Sequence, residues 1–349
     1  MINILHIING WPSGGITEQV YLLCKYLPKD QFKQYSIGYS HFDGAFVKKF
    51  EDVGVECIHS DKGYSNLQDI IREKDIHIVH KQTGGGDYPS YVPMLKEMGI
   101  PLIESIYCPR ATAIPVDEVS KITYTTPYTL SKNKDEHYSK MYPIQYALDI
   151  ESPIVDCFSK KDKDHIIVGR LGRVVPDKRP DILLKLARLS YEKFGDKIQF
   201  HLAGVIPQDF PLHIEYGKRF VKLCQKIPNV KYFGYVEDKY DFWKTLDICI
   251  NPVWETSFDI VFLEAMACGI PILTWNNSAA IYVVGEAGIV AKESLQDMFL
   301  GLCKLYSDYG MRMSMGETGI QYIKNKYSLK KYIDEHVKLY RSVCGKIDG

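Results

Sequence analysis

Residues 247–272 read DICINPVWETSFDIVFLEAMACGIPI, and the way this stretch divides decides the fold. An apolar run, Ile248-Cys249-Ile250, ends at Asn251-Pro252, where proline stops a buried strand because it has no N–H for the ladder. After a loop of hydroxyls and acids, residues 258–268 carry Ile260, Val261, Leu263, Ala265, Ala267 and Cys268 at helical rather than alternating spacing. Gly269-Ile270-Pro271 then stops the helix. The loop therefore sits at a helix N-terminus, where unpaired amides and the positive end of the helix dipole suit an anion such as phosphate. Glu264 is out of place among its apolar neighbours, since a buried carboxylate needs a partner. Two readings stand: a carboxylate bonded to local backbone, or one that accepts hydrogen bonds from ligand hydroxyls.

Upstream, residues 165–181 read HIIVGRLGRVVPDKRPD, a strand running into a turn. Ile182, Leu183, Leu186 and Ala187 then begin a helix, with Asp181 in its first turn. Arg173 and Lys178 flank the turn, placed to neutralise a nucleotide diphosphate, against the plainer reading of a basic surface loop. Residues 198–204 and 230–236 read as further strands, the second turning at Gly234-Tyr235, and residues 239–246 as an amphipathic helix. Downstream, 271–275 is a strand and 276–280 opens a loop. In residues 328–343, Leu329, Tyr332, Ile333, Val337, Leu339, Tyr340 and Val343 form a helical stripe.

The first half repeats the pattern. Residues 2–8 are an apolar strand, followed by a loop with Gly14-Gly15 and a helix over 17–27; adjacent glycines let backbone approach a phosphate or sugar. Strand-like and helix-like segments then alternate at 35–39, 45–53, 55–59, 65–73 and 76–80, which argues a parallel doubly wound sheet with ligands at the carboxyl ends of its strands. His80 ends one such strand just before Gly84-Gly85-Gly86-Asp87, and is a candidate to face the ligand side. A helix over 91–98 leads to a strand ending near Tyr107, and 122–126 and 144–148 read as the closing strands. Residues 151–164 form a polar linker, in which Asp162 and Asp164 alternate with lysines as a solvated charge run rather than a metal site. No required metal is expected.

Composition bounds the reading. The chain has 349 residues, enough for two domains at roughly 100–200 residues each. With 43 basic and 43 acidic residues, no global field draws it to nucleic acid or anionic lipid. The start, Met-Ile-Asn-Ile-Leu-His, lacks the basic and long apolar regions of a signal peptide, and no run of about 18 apolar residues occurs. The expectation is a cytoplasmic protein, with peripheral association at the inner membrane face as the alternative. Nine cysteines, never spaced Cys-x-x-Cys, read as reduced core thiols. The 25 tyrosines fit a sugar-stacking cleft and a core equally well.

Pro252, Phe258 and the run Glu264-Ala265-Met266-Ala267-Cys268-Gly269-Ile270-Pro271 resemble, in order, the acidic motif and following helix of the retaining glycosyltransferases of family 4, the "group 1" family. The resemblance extends to Gly172-Arg173 through Lys178, to the Phe233-Gly234-Tyr235-Val236 turn, to residues 283–290 and to the Gly14-Gly15 pair. It implies the GT-B fold, α/β, with two Rossmann-like doubly wound domains facing a central cleft. The domains would be 1–158 on the acceptor side, 165–325 for the nucleotide-sugar donor, and a helix over 326–349 crossing back to the first. The implied activity is retaining transfer from a UDP- or GDP-sugar to a hydroxyl acceptor, with no cofactor beyond that co-substrate. The acceptor class ranges over sugars, lipid-linked sugars, proteins and small molecules; polysaccharide or glycoconjugate synthesis is the commonest setting.

The same resemblance assigns residues. Arg173 and Lys178 would grip the diphosphate, with Gly14, Gly15, Gly172 and the amides of Ser257, Phe258, Asp259 and Ile260. Gly234 and Tyr235 would meet the nucleobase, and Glu264 the ribose hydroxyls. The family's first acid falls at Thr256, and the nearest acid, Glu255, stands one residue farther from Glu264 than the family spacing. Either Glu255 or Thr256 would meet the donor sugar. Ser105-Ile106-Tyr107 departs from the family's Thr-x-His, so Tyr107 inherits that acceptor-side position, and Tyr282 replaces a leading Glu. These departures keep two alternatives in view: a nucleotide-sugar epimerase or hydrolase of the same fold, and a non-catalytic nucleotide-sugar-binding subunit.

Overall fold

A computed structural model describes residues 1–11, 14–40, 44–150, 165–208, 210–276 and 279–345. The chain divides into two units, one of Met1–Asp149 with Leu329–Gly349, the other of Ile150–Ser328. The sequence-read linker, with Asp162 and Asp164, lies outside the described residues.

The first unit runs β1 (Ile2–Ile7), α1 (Gly15–Tyr26), β2 (Phe32–Gly38), α2 (Gly44–Asp52), β3 (Glu56–His59), α3 (Leu67–Glu73), β4 (Ile78–Lys81), α4 (Val92–Glu97), β5 (Leu102–Ile106), β6 (Lys121–Tyr124), α5 (Pro127–Ser131) and β7 (Met141–Pro143). Its sheet is parallel throughout, in the order β3-β2-β1-β4-β5-β6-β7. The order reverses between β1 and β4, and such a reversal opens a crevice beyond the strand ends. Beyond the Ile144 amide, which bonds the Tyr124 carbonyl at 3.0 Å, residues 145–148 do not continue the β7 ladder as the sequence suggested. The Gln19 side chain takes both backbone groups of Ala147, donating to its carbonyl at 2.9 Å and accepting from its amide at 3.0 Å, in place of a neighbouring strand.

The second unit runs β8 (Ile166–Leu171), α6 (Pro180–Phe194), β9 (Ile198–Ala203), α7 (Pro211–Cys224), β10 (Val230–Tyr232), α8 (Lys239–Lys244), β11 (Ile248–Asn251), α9 (Ile260–Ala267), β12 (Ile272–Trp275), α10 (Ala280–Val284), β13 (Gly288–Ala291), α11 (Leu295–Ser307) and α12 (Tyr309–Asn325). The six-stranded sheet order, β10-β9-β8-β11-β12-β13, repeats that of the first unit without its seventh strand, again all parallel. Strands buried on both faces read as continuous apolar runs, which is why Ile248-Cys249-Ile250 and Ile272-Leu273 carry no alternation. At the strand ends two turns touch: Gly204, at φ 141°, leaves no room for a Cβ, which would stand 2.0 Å from the Gly172 carbonyl oxygen.

The last helix, α13 (Leu329–Cys344), closes the first unit. Its Tyr332, Ile333, Leu339 and Tyr340 pack with Ile4, Leu22, Leu23, Ile78 and Ile103 into one buried cluster. The stripe read from the sequence is therefore a core face, and its polar atoms are used as well. Tyr332 donates to the Gln19 carbonyl at 3.0 Å, and the Tyr340 hydroxyl bonds His80 Nδ1 at 2.8 Å.

Among the described residues no helix is long and apolar enough to cross a membrane. The described cysteines are free thiols, five of them buried.

Candidate functional site

In the second unit the strands β8, β10 and β11 end at three loops that carry the sequence motifs. β8 delivers Arg170 to its end, where the side chain turns inward and is 4% exposed. Its Nη1 donates to the carbonyl oxygens of Gly172 at 3.1 Å and Arg173 at 3.4 Å, and its Nε to Asn251 Oδ1 at 3.1 Å. Asn251, the last residue of β11, donates from Nδ2 to Asp259 Oδ2 at 2.6 Å, and its own carbonyl accepts from Thr274 Oγ1 at 2.7 Å. Asp259 is the residue that precedes α9, and its side chain makes no cap bond because Asn251 holds it. One buried chain, Arg170–Asn251–Asp259, thus ties the cation-bearing turn to the N-terminus of α9. Burial pulls the Arg170 pKa below the ordinary arginine value, with the Asp259 charge opposing the shift.

With Arg170 and Asp259 balancing each other and Arg179 beside Asp181, two positive charges remain at the turn, with the exposed Asp177 between them in sequence. Arg173 is exposed and Lys178 half-buried, and among the described residues neither has an ion-pair partner. The turn closes as Lys178 N bonds the Val175 carbonyl at 3.2 Å, and Arg179 follows in the left-handed region at φ 49°. Arg179 lies over the rings of Trp254, at 5.3 Å, and Trp275, at 5.4 Å. Ile260 and Val261 open α9, and first-turn amides have no partner within their helix.

Glu264 is 5% exposed, and its partners are neither local backbone nor ligand. Oε1 accepts from Lys239 Nζ at 2.7 Å and Oε2 from Trp243 Nε1 at 3.3 Å. Both donors sit on α8, which Asp238 caps through the amides of Tyr240 and Asp241. The Gly234-Tyr235 turn lies just before this helix, its Gly234 carbonyl accepting from Gly204 N at 2.7 Å; Tyr235 is 73% exposed. Thr256 is buried and donates from Oγ1 to the Phe258 carbonyl at 2.9 Å, whereas Glu255 is exposed. Ser257 and Phe258 are buried, the Phe258 ring edge-on to Tyr327 at 5.7 Å.

The structure therefore gathers Gly172, Arg173, Lys178, Gly234, Tyr235, Glu264 and the 255–260 loop at one end of the second sheet. Gly14 and Gly15 belong to the first unit; Gly14 is exposed with open space where a Cβ would stand. The acceptor-side expectation for His80 is corrected. It is fully buried in the sheet's centre, with Nδ1 on Tyr340 and Nε2 on Ser105 Oγ at 2.7 Å, and burial holds its pKa well below the ordinary histidine value. Tyr107 is half-buried, and its hydroxyl donates to Gln82 Oε1. Arg170, Asn251, Lys239 and Trp243 had no motif to announce them. Their one sequence signal was polarity inside apolar elements, as at Asn251 and Arg170. Among the described residues no group of three or more His, Cys, Asp or Glu is placed to hold a metal ion.

Residues 162–308 match the family model described as glycosyl transferases group 1. The chain is similar to the capsular polysaccharide biosynthesis glycosyltransferase CapM of Staphylococcus aureus, 26% identical over 208 residues, covering 59% of this chain and 53% of that protein. It is also similar to a D-inositol 3-phosphate glycosyltransferase of Kribbella flavida, 23% identical over 168 residues, covering 46% and 40%. The matches thus span about half or less of these relatives' length. Among solved structures, a glycosyltransferase from Rickettsia africae superposes with a TM-score of 0.80 at 16% identity over 98% of both chains. Anabaena HepE in complex with UDP and glucose gives 0.75 at 14% identity, over 98% of this chain and all of that one. Two Rossmann-like units make this chain's fold GT-B, shared with these neighbours.

Proposed function

We propose that the protein is a retaining, metal-independent glycosyltransferase that moves a sugar from a UDP- or GDP-sugar to a hydroxyl acceptor in polysaccharide or glycoconjugate synthesis. The observation that supports the reading is the Arg170–Asn251–Asp259 chain, which ties the backbone of the Arg173 turn to the N-terminus of α9, so that Arg173 and the first amides of α9 would serve one anion. Sugar transfer breaks the bond from the anomeric carbon to the donor's phosphate oxygen, and negative charge grows on that oxygen. Fixed cations and amides stabilise it most where they need no reorganisation. Arg173 and Lys178 supply the charge that a divalent metal supplies elsewhere. In the retaining course the acceptor oxygen attacks from the leaving-group side, and its proton passes to the departing phosphate oxygen.

Glu264 takes the ribose hydroxyls through lone pairs left beside Lys239 and Trp243, and the exposed Tyr235 stacks on the base. The HepE complex, with its UDP and glucose, agrees with this donor class, and the name of CapM agrees with the polysaccharide setting.

The test is the melting temperature of the full chain against UDP-, GDP- and ADP-sugars and the bare nucleotides, without and then with magnesium. A ligand at about 100 times its Kd stabilises by roughly 2.7 kcal/mol. The expected result is a shift with one nucleotide family that needs no metal; no shift with any nucleotide overturns the reading. For the donor sugar, Glu255→Ala or Thr256→Ala is expected to lower turnover, and unchanged turnover in both removes that pair from the pocket.

A further inference from the structure

The first unit holds a pocket of its own at the carboxyl ends of β1, β2 and β4, about 170 Å³ in volume. Its walls are Tyr39, Tyr64 and Tyr91, and its polar groups come from Asn9, Thr83 and Asp87. The rings are locked edge to face, Tyr39 on Tyr64 at 5.6 Å and Tyr64 on Tyr91 at 5.4 Å. Tyr64 sits in the left-handed region at φ 54°, an uncommon place for a bulky residue, and its hydroxyl is anchored to the Ile8 carbonyl at 3.1 Å. Thr83 Oγ1 is buried with no hydrogen-bond partner, an unmet group that a ligand hydroxyl would satisfy.

Asp87 is placed from beneath. Lys81, fully buried at the end of β4, donates from Nζ to Asp87 Oδ1 at 2.9 Å and to the fully buried Glu104 at 2.7 Å. The other Glu104 oxygen accepts from Thr112 Oγ1. Isolated, a buried ammonium is costly; here it is paired twice, and it fixes one Asp87 oxygen while the side chain stays 58% exposed. Between them, Gly84, Gly85 and Gly86 all adopt positive φ, which turns the chain from Lys81 back to Asp87.

We propose that this pocket binds one neutral sugar ring, with its apolar face on the tyrosines and its hydroxyls on Asp87 and Thr83. Aromatic walls with a few convergent polar groups are the chemistry of a polyhydroxyl site. The charge pattern disfavours a phosphorylated ring: the Asp87 carboxylate lines the pocket, Lys81 already serves two carboxylates, and Lys62, exposed at the rim, is the single lining cation among the described residues. That the ring belongs to the acceptor rests on the transferase reading above; that the pocket takes a sugar does not.

The experiment is saturation-transfer NMR on the full chain with methyl glycosides of glucose, galactose, mannose and N-acetylglucosamine, beside glucose 6-phosphate and glycerol 3-phosphate. The expected result is transfer to at least one neutral glycoside, weakened about tenfold or more, or 1.4 kcal/mol, by Asp87→Asn and by the isosteric Thr83→Val. Nucleotide-induced melting shifts are expected to be the same in both variants, and an unchanged thermal transition of the first unit by circular dichroism shows the pocket-bearing unit folded. Binding of no neutral glycoside, equal binding by both variants, or preference for the phosphorylated ligands overturns the proposal. If nucleotide shifts persist in that case, the transferase reading stands and only the pocket falls; if the nucleotide shifts alone are missing, the reverse holds.

Discussion

The two sheets share one strand order but place their polar residues differently. In the second unit the buried polar strand residues, Arg170, Asn251 and Thr274, lie at or next to strand ends by the candidate donor site, and the polar side chains inside β9, Gln199 and His201, are half-buried. In the first unit His6, Gln34, Ser36, His80, Lys81, Glu104 and Ser105 lie buried within the strands themselves. His6 faces His80 at 5.8 Å, and His80 faces His336 of α13 at 6.2 Å. The lesson concerns what each polar group is for. The second unit buries few and uses them to aim loops; the first buries many, satisfies them largely with one another, and has His80 completed by one distant helix.

Removing that helix is the most direct way to break the contrast. A chain ending after Ser328 would expose Ile4, Leu22, Ile78 and Ile103 and leave His80 Nδ1 unpaired. The first unit is expected to lose cooperative unfolding by circular dichroism while the second keeps its nucleotide-induced melting shift. A graded version is Tyr340→Ala, expected to cost about 3–5 kcal/mol as a fully buried aromatic. Tyr340→Phe keeps the packing and leaves His80 short of a partner, for about 1–3 kcal/mol in denaturant midpoints.

Acid sharpens the contrast next. Burial holds both His6 and His336 down to about 4, and their charges would repel within one cluster. In the unfolded chain they titrate near 6.5, so the unfolded state takes up more protons as pH falls. Their contribution is complete above about 6.5 and is lost on the way down to 4. By pH 5 the loss is about 2 kcal/mol for each of the two. The expected outcome is that the first unit's melting temperature falls between pH 6.5 and 5 more than the second's; parallel curves would contradict it.

The smallest effect on stability is expected at the donor site. Arg173→Ala removes an exposed side chain and should move stability by no more than about 0.5 kcal/mol. Nucleotide-diphosphate binding in calorimetry is expected to weaken by about ten- to hundredfold, since a charge-assisted contact is worth about 1.5–3 kcal/mol. Asn251→Ala should do both, because it frees Arg170 and Asp259 together.

Much of this was legible in the sequence. Alternating apolar runs and helical spacing gave both doubly wound sheets, because buried parallel strands and amphipathic helices leave different periods. The Glu264–Pro271 run marked its own strand-loop-helix unit correctly. What did not show was pairing across distant segments. Glu264 plainly needed a partner, yet Lys239 and Trp243 carry nothing that points to residue 264. His80 looked like a ligand-side residue because it ends a strand. Its partners, Ser105 and Tyr340, lie 25 and 260 positions away. Tyr340 itself was read only as part of an apolar stripe, since periodicity reports a side chain's face and says nothing of its hydroxyl. The 144–148 segment is apolar enough for a strand, but the Gln19 amide, about one turn into a distant helix, takes both backbone groups of Ala147 instead.

The placement of α13 also sets a timetable. During synthesis Met1–Asp149 leaves the ribosome first, but its last core helix is encoded after the whole of the second unit. At ~5–20 residues per second, translation of the intervening stretch takes on the order of ten seconds or more. For that interval the nascent first unit holds an uncovered apolar groove, and at its end the second unit has every strand and helix it needs while the first still waits for its own. The half that begins the chain is therefore the half that finishes folding last, and it is the half that a chaperone would be expected to attend.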